Sequence, residues 1–410
     1  MPNDPVLNFE DTEKAFAYKT DGQLKKARFL FSAMQFAPLV KFGAIATPWA
    51  IKSGLPVKGI IKNTLFEQFV GGESLENTAA VLTMLEGFKV DVILDYGVEG
   101  GEHNDEKYDL ETETFIKVLT FSATRKNIPF ISIKVTGLSS KSLLEKLNVT
   151  IGKQTSGNLE DLLPAAIFNL TSEDQIAWTK LINRTEKICT EAATLGVGVM
   201  IDAEESWIQD PIDYIAYVMM EKFNKEKVVV YNTIQLYRSD RLAFLKNAYK
   251  QADKYNYHLG VKLVRGAYME KERDRATKMG YVSPIQINKE KSDTDYNEAI
   301  HLAMQNIEKA SVIIASHNEK SNLLAADLSK KIQIKNDHTH LHFSQLYGMS
   351  DNLTFNLADA GFNVSKYLPF GPVEEVIPYL MRRAQENSSV SGQTSRELQL
   401  INKECRRRAI

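Results

Sequence analysis

Tyr379, Arg382, Arg383 and Glu386 stand at i, i+3, i+4 and i+7 in the sequence. On a helix that spacing puts all four on one face. Two guanidinium groups beside a phenol and a carboxylate make a clamp for a carboxylate ligand, with hydrogen bonding at its rim. A solvated, charge-paired helix face carries the same pattern, so these four residues alone leave both readings open. Further polar side chains gather at the C-terminal ends of short apolar runs. They are Asp95 and Glu99; Lys134; Asp202, Glu204 and Glu205; Gln235 and Tyr237; Lys262, Arg265 and Tyr268; Ser316, His317 and Asn318; Gln345 and Tyr347; and Tyr367. A buried charge is costly unless it is paired. Their concentration at one kind of position therefore points to a site. For Asp202 a structural ion pair with Lys134 or Lys262 is the competing account. His317 either serves a phosphate or adenosine of a cofactor or is a satisfied core histidine. His338, His340 and His342 alternate in DHTHLH, which resembles metal-ligand spacing. They precede an apolar run instead of following one, so a solvated strand entry is the better reading and no metal is expected.

The elements that must position these groups follow from periodicity. Eight short runs rich in Val, Ile and Leu read as strands: 90–97, 130–137, 196–205, 228–237, 258–266, 311–318, 341–348 and 363–371. They show little alternation, as parallel strands buried on both faces do. Amphipathic helical sequence lies between nearly all of them. Eight such β-α units predict an α/β fold, a (β/α)8 TIM-like barrel with its chemistry at the strand C-termini. No GxGxxG or Walker pattern follows any strand, which argues against Rossmann and P-loop folds. After the last strand, Phe370-Gly371 reads as a turn. Pro372 then suits a helix start, and Glu374 and Glu375 suit its first turn. The polar loop EGGEHNDEKYD after the first strand reads as a mobile lid. The long connection after the second strand predicts extra helices. The expected division is an N-terminal helical region, 1–84, the barrel, 85–390, and a C-terminal tail or helix, 391–410.

Composition limits the class of function. The chain has 410 residues and a formal net charge of −2. A large globular domain fits, and nothing suggests a nucleic-acid partner. Cys189 and Cys405 lack metal spacing and read as reduced thiols. No apolar run is long enough to span a membrane. From Gly22 to Phe66, seven basic residues occur with no acidic one, around two apolar blocks. That stretch either lies on an anionic membrane surface or packs over the barrel with its lysines outward. The N-terminus is acidic and polar, unlike a signal or transit peptide.

The segments IDAEES, YNTIQLY, KLVRGAY, ASHN and YLPFGPVEEVIPYLMRRAQEN occur in this order. Together they resemble proline dehydrogenase, in its single-function form, over residues 85 to 390. The resemblance implies a distorted (β/α)8 barrel with noncovalently bound FAD. It also implies oxidation of L-proline to Δ1-pyrroline-5-carboxylate, with electrons passed to a membrane quinone. Such a chain is expected on the inner face of a bacterial respiratory membrane. By matching motif, Arg382 and Arg383 bind the proline carboxylate with help from Lys134. Leu346, Tyr367 and Tyr379 wall the ring. Asp202 and Tyr268 form a hydrogen-bonded pair below it. Glu386 orients the arginines or faces the amine, and Glu99 pairs with Arg382 to close the site. Gln235 and Lys262 approach the isoalloxazine, Val264, Gly266 and Ala267 let the backbone come close, and Ser316, His317 and Asn318 serve the ADP half.

The chemistry agrees with these implied roles. Flavin takes the hydride, so the protein must orient the substrate and exclude water. A site holding Arg382, Arg383 and Lys134 lowers the proton affinity of the proline amine, and no dedicated strong base is expected. The glycine of DYGVEG is displaced from the family pattern, and Lys262 stands where bacterial members commonly have arginine. The related hydroxyproline dehydrogenases tend to carry a smaller residue at the Tyr367 position, so proline is the expected substrate. A non-catalytic, carboxylate-binding barrel is the rival from another class.

Overall fold

The computed structural model describes residues 7–36, 38, 40, 58–97, 104–152, 159–389 and 393–410. Eight strands close into a barrel in chain order. They are β1 (Asp91–Tyr96), β2 (Phe130–Ile133), β3 (Gly198–Ile201), β4 (Val230–Gln235), β5 (Leu259–Val264), β6 (Ala310–Ala315), β7 (Leu341–Leu346) and β8 (Val364–Phe370). Each falls within or beside its expected run. Every residue of β3 and β4 is buried, as expected for strands covered on both faces. Among the described residues, the long connection after β2 carries the α-helices Lys141–Gly152, Leu159–Phe168 and Ser172–Leu195.

The chain forms two compact units. The first comprises Met1–Val98, His317–Leu323 and Phe343–Ile410, and so carries β1, β8 and β7 from Phe343 onward. Here β1 pairs with β8 from Asp91↔Ser365 to Tyr96↔Phe370. An apolar core joins Leu24 and Phe31 of helix Asp21–Met34, Val376 and Leu380 of helix Val373–Ser389, and Leu400 and Ile401 of helix Gln393–Arg407. Thr20 and Gln23 form a reciprocal capping box at the start of the first of these. Lys26, Lys58 and Lys62 pair with Glu67, Glu374 and Glu73. Three lysines of the basic stretch are thus engaged within this unit. Residues 41–57 of that stretch lie outside the described residues. Gly348 has φ +80, and a Cβ there would stand 2.0 Å from the Gln68 carbonyl oxygen, so only glycine fits.

The second unit comprises Glu99–Ser316 and Leu324–His342, with β2 to β6 as its sheet. Registers run from Phe130↔Gly198 on β2–β3 to Leu263↔Ile314 on β5–β6. Helix Ser206–Phe223 follows β3, and its start is held from another element. The Glu272 carboxylate accepts from the Ser206 backbone N–H and from its hydroxyl, each at 2.6 Å. Glu272 belongs to helix Met269–Met279, after β5, and is fully buried. It satisfies donors that a helix start would otherwise leave open. Cys189 and Cys405 are free and buried. Among the described residues no helix is long and apolar enough to cross a membrane.

Candidate active site

In the second unit the strand C-termini bring Lys134, Asp202 and Lys262 together. Lys262 Nζ donates to Asp202 Oδ1, and Lys134 Nζ lies 3.7 Å from Oδ2. All three are largely buried. Burial pushes the Asp202 carboxyl up, but the two ammonium groups outweigh it and hold the carboxyl well below its ordinary range. Asp202 is therefore held as a carboxylate between the two lysines. The ion pair foreseen as an alternative for Asp202 does form. Tyr268 stands at the start of helix Met269–Met279.

Gln235 ends β4, and its Nε2 donates to the Glu204 backbone oxygen at 3.1 Å. Glu204 is itself fixed. Its carboxylate accepts from Thr136 N at 3.0 Å and from Thr136 Oγ1 at 2.6 Å, and its N–H donates to Gln209. Gln209 and Asn232 both donate to Asp213, which Arg241 also binds at 2.5 Å. This supporting chain was not legible in the sequence beyond the listing of Glu204 as a strand-end polar residue. Burial, with Glu205 adding to it, pushes Glu204 up to about 7.

On β5, Val264 pairs with Gln235 in register. Gly266 has φ +141, and a Cβ there would meet the Tyr237 ring at 2.4 Å. Glycine is thus required by the protein's own packing at this point, besides any approach of a cofactor. Ala267 follows it. Arg265 reaches Ser316 Oγ at 2.8 Å and Asp293 Oδ1 at 2.7 Å, and lies 4.3 Å over the Tyr296 ring. A flavin presents acceptor nitrogens and oxygens and gains negative charge on reduction. The buried Gln235 amide and the buried Lys262 ammonium at neighbouring strand ends suit both properties.

In the first unit, Leu346 and Tyr367 are direct partners across β7 and β8. Tyr347 N–H donates to the Tyr367 carbonyl at 2.9 Å. Helix Val373–Ser389 follows β8 with Pro372 directly before it, and Glu374 and Glu375 lie in its first turn. Tyr379 and Arg383 are buried on one face, the guanidinium carbon 5.1 Å from the ring centroid, and Arg382 is half-buried. The Glu386 side chain and Glu99 lie outside the described residues, as does most of the glycine-rich start of the lid loop.

His317 Nδ1 lies 2.8 Å from Ser350 Oγ. Ser350, with φ +51, also binds Glu397 of the C-terminal helix, through its N–H at 2.6 Å and its hydroxyl at 3.2 Å. Sequence reasoning missed Ser350 and Glu397. Burial, then the neighbouring Asp351, pushes Glu397 up to about 7. Asp351 pairs with buried Lys366 at 2.8 Å and accepts from Tyr18 at 2.7 Å. Asn318 Oδ1 accepts from Ser321 N–H at 3.1 Å, which is a helix-start interaction.

The histidine run is not the uniformly solvated strand entry that was expected. β7 begins at Leu341, so His342 lies inside the strand, not at a solvated entry. It is buried edge-on to Phe130, with ring centroids 5.2 Å apart, and burial pushes it down to about 3. It is a neutral core histidine. Among the described residues no group of three or more His, Cys, Asp or Glu could hold a metal ion.

The model of the family described as proline dehydrogenase matches residues 80–396. The chain is 31% identical over 439 residues to "Proline dehydrogenase 2, mitochondrial" of Arabidopsis thaliana, covering 98% of this chain and 91% of that protein. It is 34% identical over 381 residues to "Proline dehydrogenase 1, mitochondrial" of Dictyostelium discoideum, covering 86% and 66%. Among solved structures, proline utilization A from Bdellovibrio bacteriovorus, inactivated by N-propargylglycine, matches with a TM-score of 0.68 at 20% identity. That match covers 93% of this chain but 37% of the larger one, and it bears on the fold alone. The relatives' names correct one expectation. They are eukaryotic mitochondrial proteins by name, which points against the cytoplasmic face of a bacterial respiratory membrane. The acidic first residues on which that placement rested do not identify a compartment.

Proposed function

Because this chain belongs to the proline dehydrogenase family, we propose that it oxidises L-proline to Δ1-pyrroline-5-carboxylate, using noncovalently bound FAD and passing electrons to a membrane quinone. The observation that carries this reading is the Lys134–Asp202–Lys262 triad, which gathers two basic side chains on one carboxylate at the strand ends within the family match. Such basic side chains suit an anionic carboxylate and a flavin that becomes anionic.

When bound, FAD supplies the hydride acceptor at its N5. Gln235, Lys262, Val264, Gly266 and Ala267 hold its ring system, and Ser316, His317 and Asn318 its ADP half. Arg382 and Arg383 bind the proline carboxylate as a planar, bidentate pair of donors, and Lys134 adds a third charge. These cations favour loss of the proton from the substrate amine before reaction. Leu346, Tyr367 and Tyr379 wall the ring and exclude water, and Tyr367 leaves no room for a ring hydroxyl. Asp202 orients Tyr268 below the substrate. Glu386 steadies the arginines, and Glu99 closes on Arg382.

The test is an anaerobic absorbance spectrum of the purified protein before and after L-proline. A flavin spectrum that bleaches with L-proline, and less with trans-4-hydroxyproline, is expected. Bound flavin that fails to bleach refutes the substrate, and failure to take up FAD returns the chain to a non-catalytic barrel. The basic stretch from Gly22 to Phe66 is proposed to reach the quinone-bearing surface, with Phe29 and Phe36 exposed on it at 73% and 62%. Charge reversal at Lys25 and Arg28 is expected to abolish flotation with anionic vesicles. Unchanged flotation refutes the membrane role.

A further inference from the structure

Ser350 stands directly before helix Asp351–Asp359, where a serine hydroxyl ordinarily caps the helix start. Its side chain makes no such cap. Its φ of +51 is a left-handed conformation that residues other than glycine seldom adopt and that surrounding contacts must hold in place. The hydroxyl is engaged by two other groups instead. It lies 2.8 Å from His317 Nδ1 and donates to Glu397 Oε1 at 3.2 Å, and the Ser350 N–H donates to the same oxygen at 2.6 Å. His317 follows the C-terminal end of β6, the end at which a (β/α)8 barrel carries its chemistry. The backbone is thus strained, and a cap forgone, at the residue that links a strand-end histidine to a buried carboxylate.

Glu397 is buried on helix Gln393–Arg407. Lys366 and Lys19 act on it from beyond ion-pair distance, and Asp351 repels it. Tyr18, which donates to Asp351 at 2.7 Å, completes the titratable groups around it. A buried carboxylate is a costly way to hold a serine, because a glutamine oxygen would accept the same two bonds. What a carboxylate adds is charge, which strengthens the bonds it accepts. It also sets the direction of the chain. The hydroxyl has one proton. Given to Glu397, that proton leaves Ser350 Oγ as an acceptor, so His317 Nδ1 carries the hydrogen between them. A bond that fixes one ring nitrogen fixes the tautomer and orientation of the whole imidazole.

We propose that Glu397 is a positioning residue for the cofactor: acting through Ser350, it holds His317 in the tautomer and orientation that grip the ADP half of FAD. This role rests on the assignment of His317 to that half of the cofactor under the proposed function. Glu397 performs it as a carboxylate. Burial pushes the group up to about 7, so its hold is present above that pH and weakens as pH falls through it.

The test is release of FAD from the full-length, FAD-loaded protein, read by fluorescence of the freed flavin at about pH 6 and about pH 8. Wild type is compared with Glu397→Gln, Ser350→Ala and the double variant. At the higher pH each single variant is expected to bind FAD about fivefold more weakly, and the double variant no more weakly than Ser350→Ala alone. At the lower pH the wild-type glutamate is largely protonated, and Glu397→Gln is expected to match it. A glutamate that only supports the fold gives another pattern, an equal loss at both pH values or losses that add in the double variant. Either pattern overturns the role, as does unchanged FAD affinity in Glu397→Gln at the higher pH. If Ser350→Ala does not fold, the pH contrast in Glu397→Gln decides alone. A wild-type chain that takes up no FAD is a different failure: it refutes the cofactor reading, and this role with it.

Discussion

Each unit buries a charged cluster beside its strands, and the two clusters are built differently. In the first unit, Lys366 binds Asp351 and the Met349 carbonyl, Asp351 accepts from Tyr18, and Glu397 takes both donors of Ser350. Lys19 acts on Asp351 from beyond ion-pair distance. These groups satisfy one another within the unit. In the second unit, Asp202 lies between Lys134 and Lys262, one carboxylate shared by two lysines. A carboxylate shared by two lysines keeps a cation when one lysine is removed, whereas Asp351 has one contacting cation to lose.

The sharpest way to break this comparison is to remove one lysine from each cluster. Lys366→Met strands Asp351 without a contacting cation and should cost about 3–5 kcal/mol in urea unfolding. Lys262→Met leaves Lys134 beside Asp202 and should cost clearly less. Equal losses would mean that the second cluster is as structural as the first. Next in size is Arg383→Met, which should raise the proline KM about 100-fold while FAD stays bound. A near-normal KM would remove the clamp.

A smaller effect appears with pH. Glu204 and Glu397 both stand at about 7, above the ordinary value of 4.5. A carboxyl raised in the folded state holds its proton there while the unfolded chain has lost it. Each group therefore lowers stability as pH rises from about 4.5 to about 7, by at most about 1.4 kcal/mol per pH unit. Asp202 acts oppositely. Its folded carboxyl is depressed, so its contribution is present above the unfolded value and lost as pH falls below it. Glu204→Gln and Glu397→Gln should each flatten the stability profile between pH 5 and 7, and an unchanged slope would show that the native carboxyl is not raised. The smallest expected effect is that of Ser350→Ala, which removes a hydrogen bond to His317 worth about 1 kcal/mol. FAD affinity, measured by fluorescence of released flavin, should fall about fivefold. No change would limit Ser350 and Glu397 to a structural role.

The barrel was legible because its signal is local. Runs such as GVGVMIDAEE and VVVYNTIQLY are too apolar and too short for anything but buried strands, and β3 and β4 fall inside them. The polar residues closing those runs were legible for the same reason, and Asp202 and Lys262 do meet. Ser350 and Glu397 were not, because their bond joins residues 47 apart and depends on a serine with positive φ, which no periodicity announces. His342 was misjudged in exposure and not in position, since the expected run 341–348 already contained it and β7 starts at Leu341. A single residue decides between solvent and core when side chains alternate. The compartment was misread because the expectation rested on a few acidic first residues, and the relatives' names point elsewhere.

The Glu272 cap on Ser206 has a consequence for how this chain is made. Its two partners are 66 residues apart. As the polypeptide leaves the ribosome, helix Ser206–Phe223 emerges long before the carboxylate that completes its first turn. Its start stays frayed until helix Met269–Met279 is synthesised and docks. The β-α units from β3 to β5 therefore consolidate together during translation, not one after another.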